Sequence, residues 1–350
     1  MPGELVEDSV IIKDSAEAST IYNKGCYGYP ISGGGLELDL MEASYLVESN
    51  RLEVVSNGSS IALEDLIRAA SLIHRDFEID YTVYRDLRQR GYIVKSGGDF
   101  NFRLFPRGGT PNNSQTKSWV MSVSERALFQ IEPYVANIEQ ADQTRKELLT
   151  GVVDEEGDIT YYHPSKAEPK GNVNVNWEGE PAVASLMEDR VLVFDQKSAE
   201  KLQDHGHYGK QTGAVLQLSL IEAAHLMEKG WLEVIRIASN RRINTDRFKK
   251  RAIKFQPDFD LRLAVYNDLR SRSLIVKTGF KYGSHFRVYD DDPEKTHARW
   301  LVHSIPTDYE TIWPEMSRAV RLAHGVKKEI LFARVSSEKI DYIKLIRVRP

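Results

Sequence analysis

The sequence predicts an α+β, mixed α/β fold built by tandem duplication, each copy a helical N-terminal subdomain followed by a mixed-sheet C-terminal subdomain. Three observations predict it. The chain has 350 residues, enough for two or three domains at roughly 100–200 residues each. Long strings recur at a fixed spacing. Within each recurrence the apolar period changes from helical to alternating.

The repeat comes first because it sets the organisation. LELDLMEASYLVESNRLEV (36–54) returns as LQLSLIEAAHLMEKGWLEV (216–234), and VYRDLRQRGYIVKSG (83–97) returns as VYNDLRSRSLIVKTG (265–279). RKELL (145–149) returns as KKEIL (327–331), and VIIKDSAEA (10–18) loosely matches VLVFDQKSAE (191–200). Met41, Tyr45 and Leu46, like Ile221, Leu226 and Met227, recur near helical spacing. Further helices are expected over 61–76, over 80–91 and its counterpart 259–273, and over 134–146 and 315–328. Strands are expected in YIVKSG, FNFRLF and WVMSV, in LIVKTG, FRVY and WLVHS, and in the paired segments LLTGVVD/ITYY and ILFARV/IDYIKLI. HPSKAEPKGNVNVNWEGEPA (163–182) is rich in Pro, Gly, Asn and charge and reads as a linker. The expected units are 1–80 and 81–162, a linker over 163–188, then 189–258 and 259–350.

Composition narrows the function. Apolar residues make up 41% and mean hydropathy is −0.42, with no apolar run near the roughly 20 residues of a membrane span. The acidic start MPGELVEDSV lacks the basic end of an export signal, so the expectation is a cytoplasmic protein with no membrane partner. A single cysteine, Cys26, excludes an internal disulfide and a cysteine-ligated metal cluster. The net charge is −4 but it is unevenly spread. Residues 201–350 hold 28 Lys+Arg against 18 Asp+Glu, a net of +10, which leaves −14 on residues 1–200. A basic half of that size suits a polyanion.

The copies differ in chemical capability at a few positions. FRVY ends on Tyr289 where FRLF has Phe105, and KTHARW carries His297 where QTKSW has no histidine. Lys328 and Lys146 follow the last helix in both. Only the second copy therefore offers a phenol, an imidazole and an ammonium. Metal-free RNA cleavage needs a base for the 2′-OH, an acid for the leaving 5′-oxygen and a cation for the phosphate. Histidine suits the acid and lysine the cation, whereas a phenol with a pKa near 10 needs a neighbouring cation to act as base.

The strings YNDLRSRSLIVKTGFKYGSHFRVY (266–289), HARWLVH (297–303) and RLAHGVKKEILFARV (321–335), with GLELDLMEASYLVE and its copy, resemble the archaeal tRNA-intron (tRNA-splicing) endonucleases. The likeness covers roughly 10–162 and 190–350 and fits the members that act as homodimers of two-repeat chains. It implies a nuclease-like C-terminal subdomain, catalytic in the second copy and pseudo-catalytic in the first. It implies Tyr289 as general base, His297 as general acid and Lys328 as transition-state stabiliser, with no metal or other cofactor. The implied substrate is the bulge–helix–bulge of precursor tRNA, and the products are a 2′,3′-cyclic phosphate and a 5′-hydroxyl. Arg321 matches an arginine that stacks on a bulge base, and its partner is Arg347 or Arg349. The acidic loop Asp154, Glu155, Glu156 and Asp158 resembles one that docks into a basic cleft of the partner's second copy. Two other readings compete. One is a non-catalytic RNA-binding or assembly subunit. The other is a metal-dependent nuclease, for which Asp290, Asp291, Asp292 and Glu294 are the nearby carboxylates.

Overall fold

The computed structural model describes residues 2–173, 175–237 and 239–350. At its centre lies one ten-stranded sheet to which each copy gives five strands. Across the sheet run Ile275–Thr278, Phe286–Tyr289, Trp300–Pro306, Glu329–Val335 and Ile340–Val348, then Ile159–Ala167, Glu147–Val153, Ser118–Ser124, Phe100–Leu104 and Val94–Gly97. The two halves join by antiparallel pairing of Ile159–Ala167 with Ile340–Val348, in register from Tyr161↔Val348 to Ala167↔Tyr342. The copies are thereby related by an approximate two-fold axis through the sheet.

In each copy one strand pair is parallel, Ser118–Ser124 with Glu147–Val153 and Trp300–Pro306 with Glu329–Val335. A parallel pair needs a crossover, and the helices Ile131–Gln143 and Trp313–Gly325 supply it. Both pack on the same face of the sheet in one core, where Trp313 meets Phe129, Tyr134 and Tyr162 at ring separations of 5.2, 5.7 and 5.9 Å. The helices Phe77–Gln89 and Phe259–Ser271 cover the other face through Tyr84 and Tyr266.

The N-terminal subdomains hold the expected helices, among them Leu40–Glu48 and Leu220–Glu228, but each also contains a six-stranded sheet. Those strands are two to five residues long, too short for alternation to stand out beside the helices. Strand also extends into the segment expected as linker: Ile159–Ala167 takes in residues 163–167 and Ala182–Leu186 takes in its far end. Among the described residues no helix is long and apolar enough to cross a membrane.

A buried ion pair ties each N-terminal subdomain to the sheet. Lys95 of the VKSG strand donates to Glu42 Oε1 at 2.7 Å and to the Gly28 carbonyl at 2.9 Å, while the Gly28 N–H donates to Glu42 Oε2 at 2.8 Å. The side chains of Lys95 and Glu42 are 3% and 2% exposed. Copy 2 repeats the lock more loosely: Lys277 donates to the Gly209 carbonyl at 2.7 Å and stands 3.7 Å from Glu222. Removing one partner of a dry pair strands the other charge. Lys95→Met is expected to cost about 3–5 kcal/mol of unfolding free energy, and the more exposed Lys277→Met less. Urea unfolding of the two variants checks the order.

Candidate active site

The pairing brings the three sequence-predicted residues to one end of three adjacent strands. Tyr289 ends the strand Phe286–Tyr289, in which Val288 pairs with Trp300. His297 lies three residues before Trp300, and Trp300 pairs with Glu329, the residue after Lys328. Backbone bonds stitch the row together: the Arg299 N–H donates to the Val288 carbonyl and the Glu329 N–H to the Arg299 carbonyl, both at 3.0 Å. At about 4.8 Å between strands, Tyr289 and Lys328 start from backbones roughly 10 Å apart.

Each side chain is held differently. Tyr289 is only 8% exposed and clusters with Ile275 and Ala298. Val173 of the inter-repeat segment packs on this cluster, held by its N–H to the Ser273 carbonyl at 3.0 Å and by the Asn172 N–H to the Asp290 carbonyl at 3.1 Å. The connector is thus part of the wall behind the phenol, which its linker-like composition conceals. His297 is exposed, beyond a turn in which Asp292 accepts from the N–H groups of Glu294, Lys295 and Thr296. Lys328 is half-buried. The preceding Lys327 takes the left-handed conformation (φ 55°), and the Lys328 N–H returns to the Ala323 carbonyl at 2.9 Å. Lys328 Nζ lies 3.3 Å from the Val326 carbonyl and 5.5 Å from the Tyr282 ring centre.

A residue missed from the sequence joins them. Arg287 lies two positions before Tyr289 on the same strand face, its guanidinium 5.8 Å from the phenol ring centre. Its Nε is buried and has no hydrogen-bond partner among the described residues. The signal was present, since both FRVY and FRLF contain this arginine.

Strand register corrects one sequence correspondence. Aligning QTKSW with KTHARW puts Lys117 or its neighbours opposite His297. In the sheet, however, Ser118 pairs with Glu147 as Trp300 pairs with Glu329, and Ser118 pairs with Leu104 as Trp300 pairs with Val288. The counterpart of His297 is therefore Gln115. Its amide oxygen accepts from Lys146 Nζ at 3.2 Å, so the positions of His297 and Lys328 are within mutual reach in this frame.

The same symmetry distinguishes the arginines. Arg321, on the helix Trp313–Gly325, corresponds to Glu139, and Arg347 corresponds to Lys166. Glu139 and Lys166 form a 2.7 Å ion pair. Copy 2 thus places two exposed arginines where copy 1 has a closed pair. Arg349 lies beyond the end of its strand.

The acidic loop is an ordered turn. Asp154 Oδ1 accepts from the N–H groups of Glu156 and Asp158 at 3.0 and 2.8 Å, and Glu155 pairs with Arg126. Glu156 and Asp158 are exposed. The clefts between subdomains are lined differently. That of copy 1 is lined by Asp39, His74, Asp80, Asp99 and Asn101. In copy 2, Arg262 replaces Asp80 and His285 replaces Asn101, with His303 adjacent at 5.4 Å between ring centres. Arg262 Nε is paired there with Asp258 at 2.6 Å. Among the described residues no group of three His, Cys, Asp or Glu is arranged to hold a metal ion.

The family profile described as "tRNA intron endonuclease, catalytic C-terminal domain" matches residues 77–161 and 259–342, and "tRNA intron endonuclease, N-terminal domain" matches 1–67 and 182–249. The chain belongs to the tRNA intron endonuclease family. It is similar over its full length, and that of the relative, to the tRNA-splicing endonuclease of Methanococcoides burtonii, at 40% identity. The tRNA-splicing endonuclease of Methanosarcina mazei is 37% identical over 99% of this chain and 98% of its own, and that of Halobacterium salinarum 33% over the whole of both. The protein is an endonuclease with two family repeats in one chain.

Three histidines of this endonuclease carry a pH signature. Burial pushes His225, His285 and His303 down to about 4, with Arg262 adding to the shift of the last two. Unfolded, each takes a proton near pH 6.5, so each withdraws stability as the pH falls from about 6.5 towards 4. Glu42, pushed up to about 7 by burial, works in the opposite sense, so the histidine effect is read by difference. His303→Gln is expected to lose less stability than wild type between pH 7 and pH 5, and urea midpoints at the two pH values measure it.

Proposed function

We propose that this endonuclease excises introns from precursor tRNA at bulge–helix–bulge junctions without a metal, leaving a 2′,3′-cyclic phosphate and a 5′-hydroxyl. The observation that carries the reading is the meeting of Tyr289, His297 and Lys328 at one sheet end in copy 2, where copy 1 has Phe105, Gln115 and Lys146. Tyr289 takes the 2′-OH proton as that oxygen attacks phosphorus. His297 gives a proton to the departing 5′-oxygen. Lys328 offsets the charge gathering on the phosphate. Arg287 is the neighbouring cation that a phenol needs in order to serve as base.

Arg321 and Arg347 fit the grip on an extruded base. Two cations at positions that can approach as closely as an ion pair repel one another unless a flat, electron-rich group lies between them. The register favours Arg347 over Arg349 as the second jaw.

The working form in this reading is a homodimer. The exposed carboxylates Glu156 and Asp158 of one chain enter the cleft beside Arg262 in copy 2 of the other. The exposed acidic loop of copy 1 and the net charge of +10 on residues 201–350 support the pairing, in which the loop carboxylates compete with Asp258 for Arg262.

Cleavage of a bulge–helix–bulge RNA in excess EDTA tests the chemistry. Wild type is expected to cut at its full rate, and His297→Ala to lose about 10²–10⁴-fold. EDTA inhibition would favour a metal-dependent nuclease, and cleavage failure in wild type would favour the assembly-subunit reading. For the dimer, Glu156→Lys with Asp158→Lys spares the turn that Asp154 holds. It is expected to shift sedimentation towards monomer and to lower activity together, and an unchanged profile would refute the docking.

A further inference from the structure

Copy 1 retains a pocket at the position of the catalytic site. It has a volume of about 410 Å³ and is lined by Arg103, Phe105, Ser114, Gln115, Thr144 and Lys146, among others. None of its lining residues is a carboxylate. This half of the chain carries a net charge of −14, and several of its cations are paired, Arg90 with Asp86, Arg126 with Glu155 and Lys166 with Glu139. Lys146 and Arg103 form no ion pair among the described residues. The ammonium of Lys146 meets a neutral amide, Gln115 Oε1, at 3.2 Å, and Arg103 meets a neutral hydroxyl, its Nη2 donating to Tyr29 at 3.5 Å while its Nε is buried without a hydrogen-bond partner among the described residues.

The pocket is built rather than left over. The segment from Phe105 to Ser118 is two residues longer than that from Tyr289 to Trp300. It folds into an ordered wall: the Thr110 N–H donates to Asn113 Oδ1 at 2.7 Å and the Ser114 N–H to the Thr110 carbonyl at 2.9 Å. Asn112 Nδ2 anchors the wall to the Tyr22 hydroxyl at 3.3 Å. At the base of the pocket Arg145 repeats the left-handed turn of Lys327 (φ 56° and 55°), so Lys146 is presented as Lys328 is. Phe105 has no hydroxyl to act as base, and the Gln115 amide neither gives nor takes a proton near neutral pH.

We propose that this pocket binds a phosphodiester of the substrate RNA without cutting it, Lys146 and Arg103 contacting the non-bridging oxygens. The proposal rests on the RNA-cleavage reading above and extends it to the first copy. The two-fold axis puts both sites on the same face of the sheet. Lys146 and Lys328 are three strand spacings apart across the sheet and about four residues apart along it, which is roughly 20 Å. One RNA can therefore reach the cutting site and a holding site on the same chain.

Each phosphate contact contributes about 0.7–0.9 to the slope of log affinity against log salt. The test is equilibrium binding of the full-length dimer to a precursor tRNA with 2′-deoxynucleotides at the junctions, which removes the attacking hydroxyl, across a salt series. Lys146→Ala is expected to weaken binding about 3–10-fold and to flatten the slope by about 0.7–0.9, and Lys146→Glu to weaken it further. Lys24→Ala, on an exposed stretch of the helix Ser15–Gly25, is the charge control and is expected to leave both readouts as in wild type. Wild-type affinity and slope in both Lys146 variants would overturn the proposal. So would weaker binding with an unaltered slope, the mark of a structural effect. Cutting of the deoxy RNA would instead refute the 2′-OH chemistry, an outcome visible separately in the same samples.

Discussion

The antiparallel pairing of Ile159–Ala167 with Ile340–Val348 is the constraint on which the remaining arrangement depends. It turns two duplicated sheets into one and fixes their relation by backbone hydrogen bonds instead of a flexible tether. Because the pairing is antiparallel, the end of copy 2 that carries Tyr289, His297 and Lys328 and the equivalent end of copy 1 lie at opposite ends of a shared surface. The acidic turn of copy 1 lies at the end that carries Lys328, just past the strand end where Tyr161 meets Val348. Arg347 stands between, in register with Tyr162 on one side and next to the strand that Lys328 precedes on the other. A slip of one residue would turn Arg347 to the opposite face.

On this common frame the copies keep their cohesion and differ in their chemistry. The Lys–Glu–Gly lock is present in both, as is the left-handed turn before the lysine. Two of the differences fall on positions that the core does not use, Gln115 for His297 in a loop and Glu139 for Arg321 on a helix surface, whereas Asp80, the counterpart of Arg262, is buried and bonded to His74 and Asn101. Exchanges of the first kind disturb few packed atoms, whereas a change at the lock strands a charge in a dry site.

Much of the fold was legible in the residues. The repeat strings gave the duplication, and FRVY, WLVHS and ILFARV were long and apolar enough to read as strands, so Tyr289 and Lys328 could be placed at strand ends. The pairing between copies was not legible. It joins residues about 180 apart, and Pro164 sits in the middle of a strand where proline ordinarily argues against one. The N-terminal sheets were missed because strands such as Tyr29–Pro30 and Ser59–Ser60 carry no pattern of their own. Gln115 was obscured by a tryptophan on each side that looked equivalent and is not: Trp300 pairs with Glu329, but Trp119 pairs with Leu148. The backing of Tyr289 by Val173 is a contact across the chain, and linker composition gives no hint of it.

The three side chains proposed for catalysis also differ in how tightly the fold holds them. The lysine follows a helix end and a left-handed residue that shape the crossover in both copies. The phenol depends on a ring that the sheet buries whether or not it carries oxygen. Phe105 is 3% exposed where Tyr289 is 8%, so one hydroxyl separates the two at little packing cost. The imidazole sits in an exposed segment whose turn is made by Asp292 and not by the histidine. In the proposed mechanism proton transfer falls to a hydroxyl and an exposed imidazole that the packing does not require. Copy 1 keeps the lysine and the ring while lacking the hydroxyl and the imidazole, which is the residue content of its pocket.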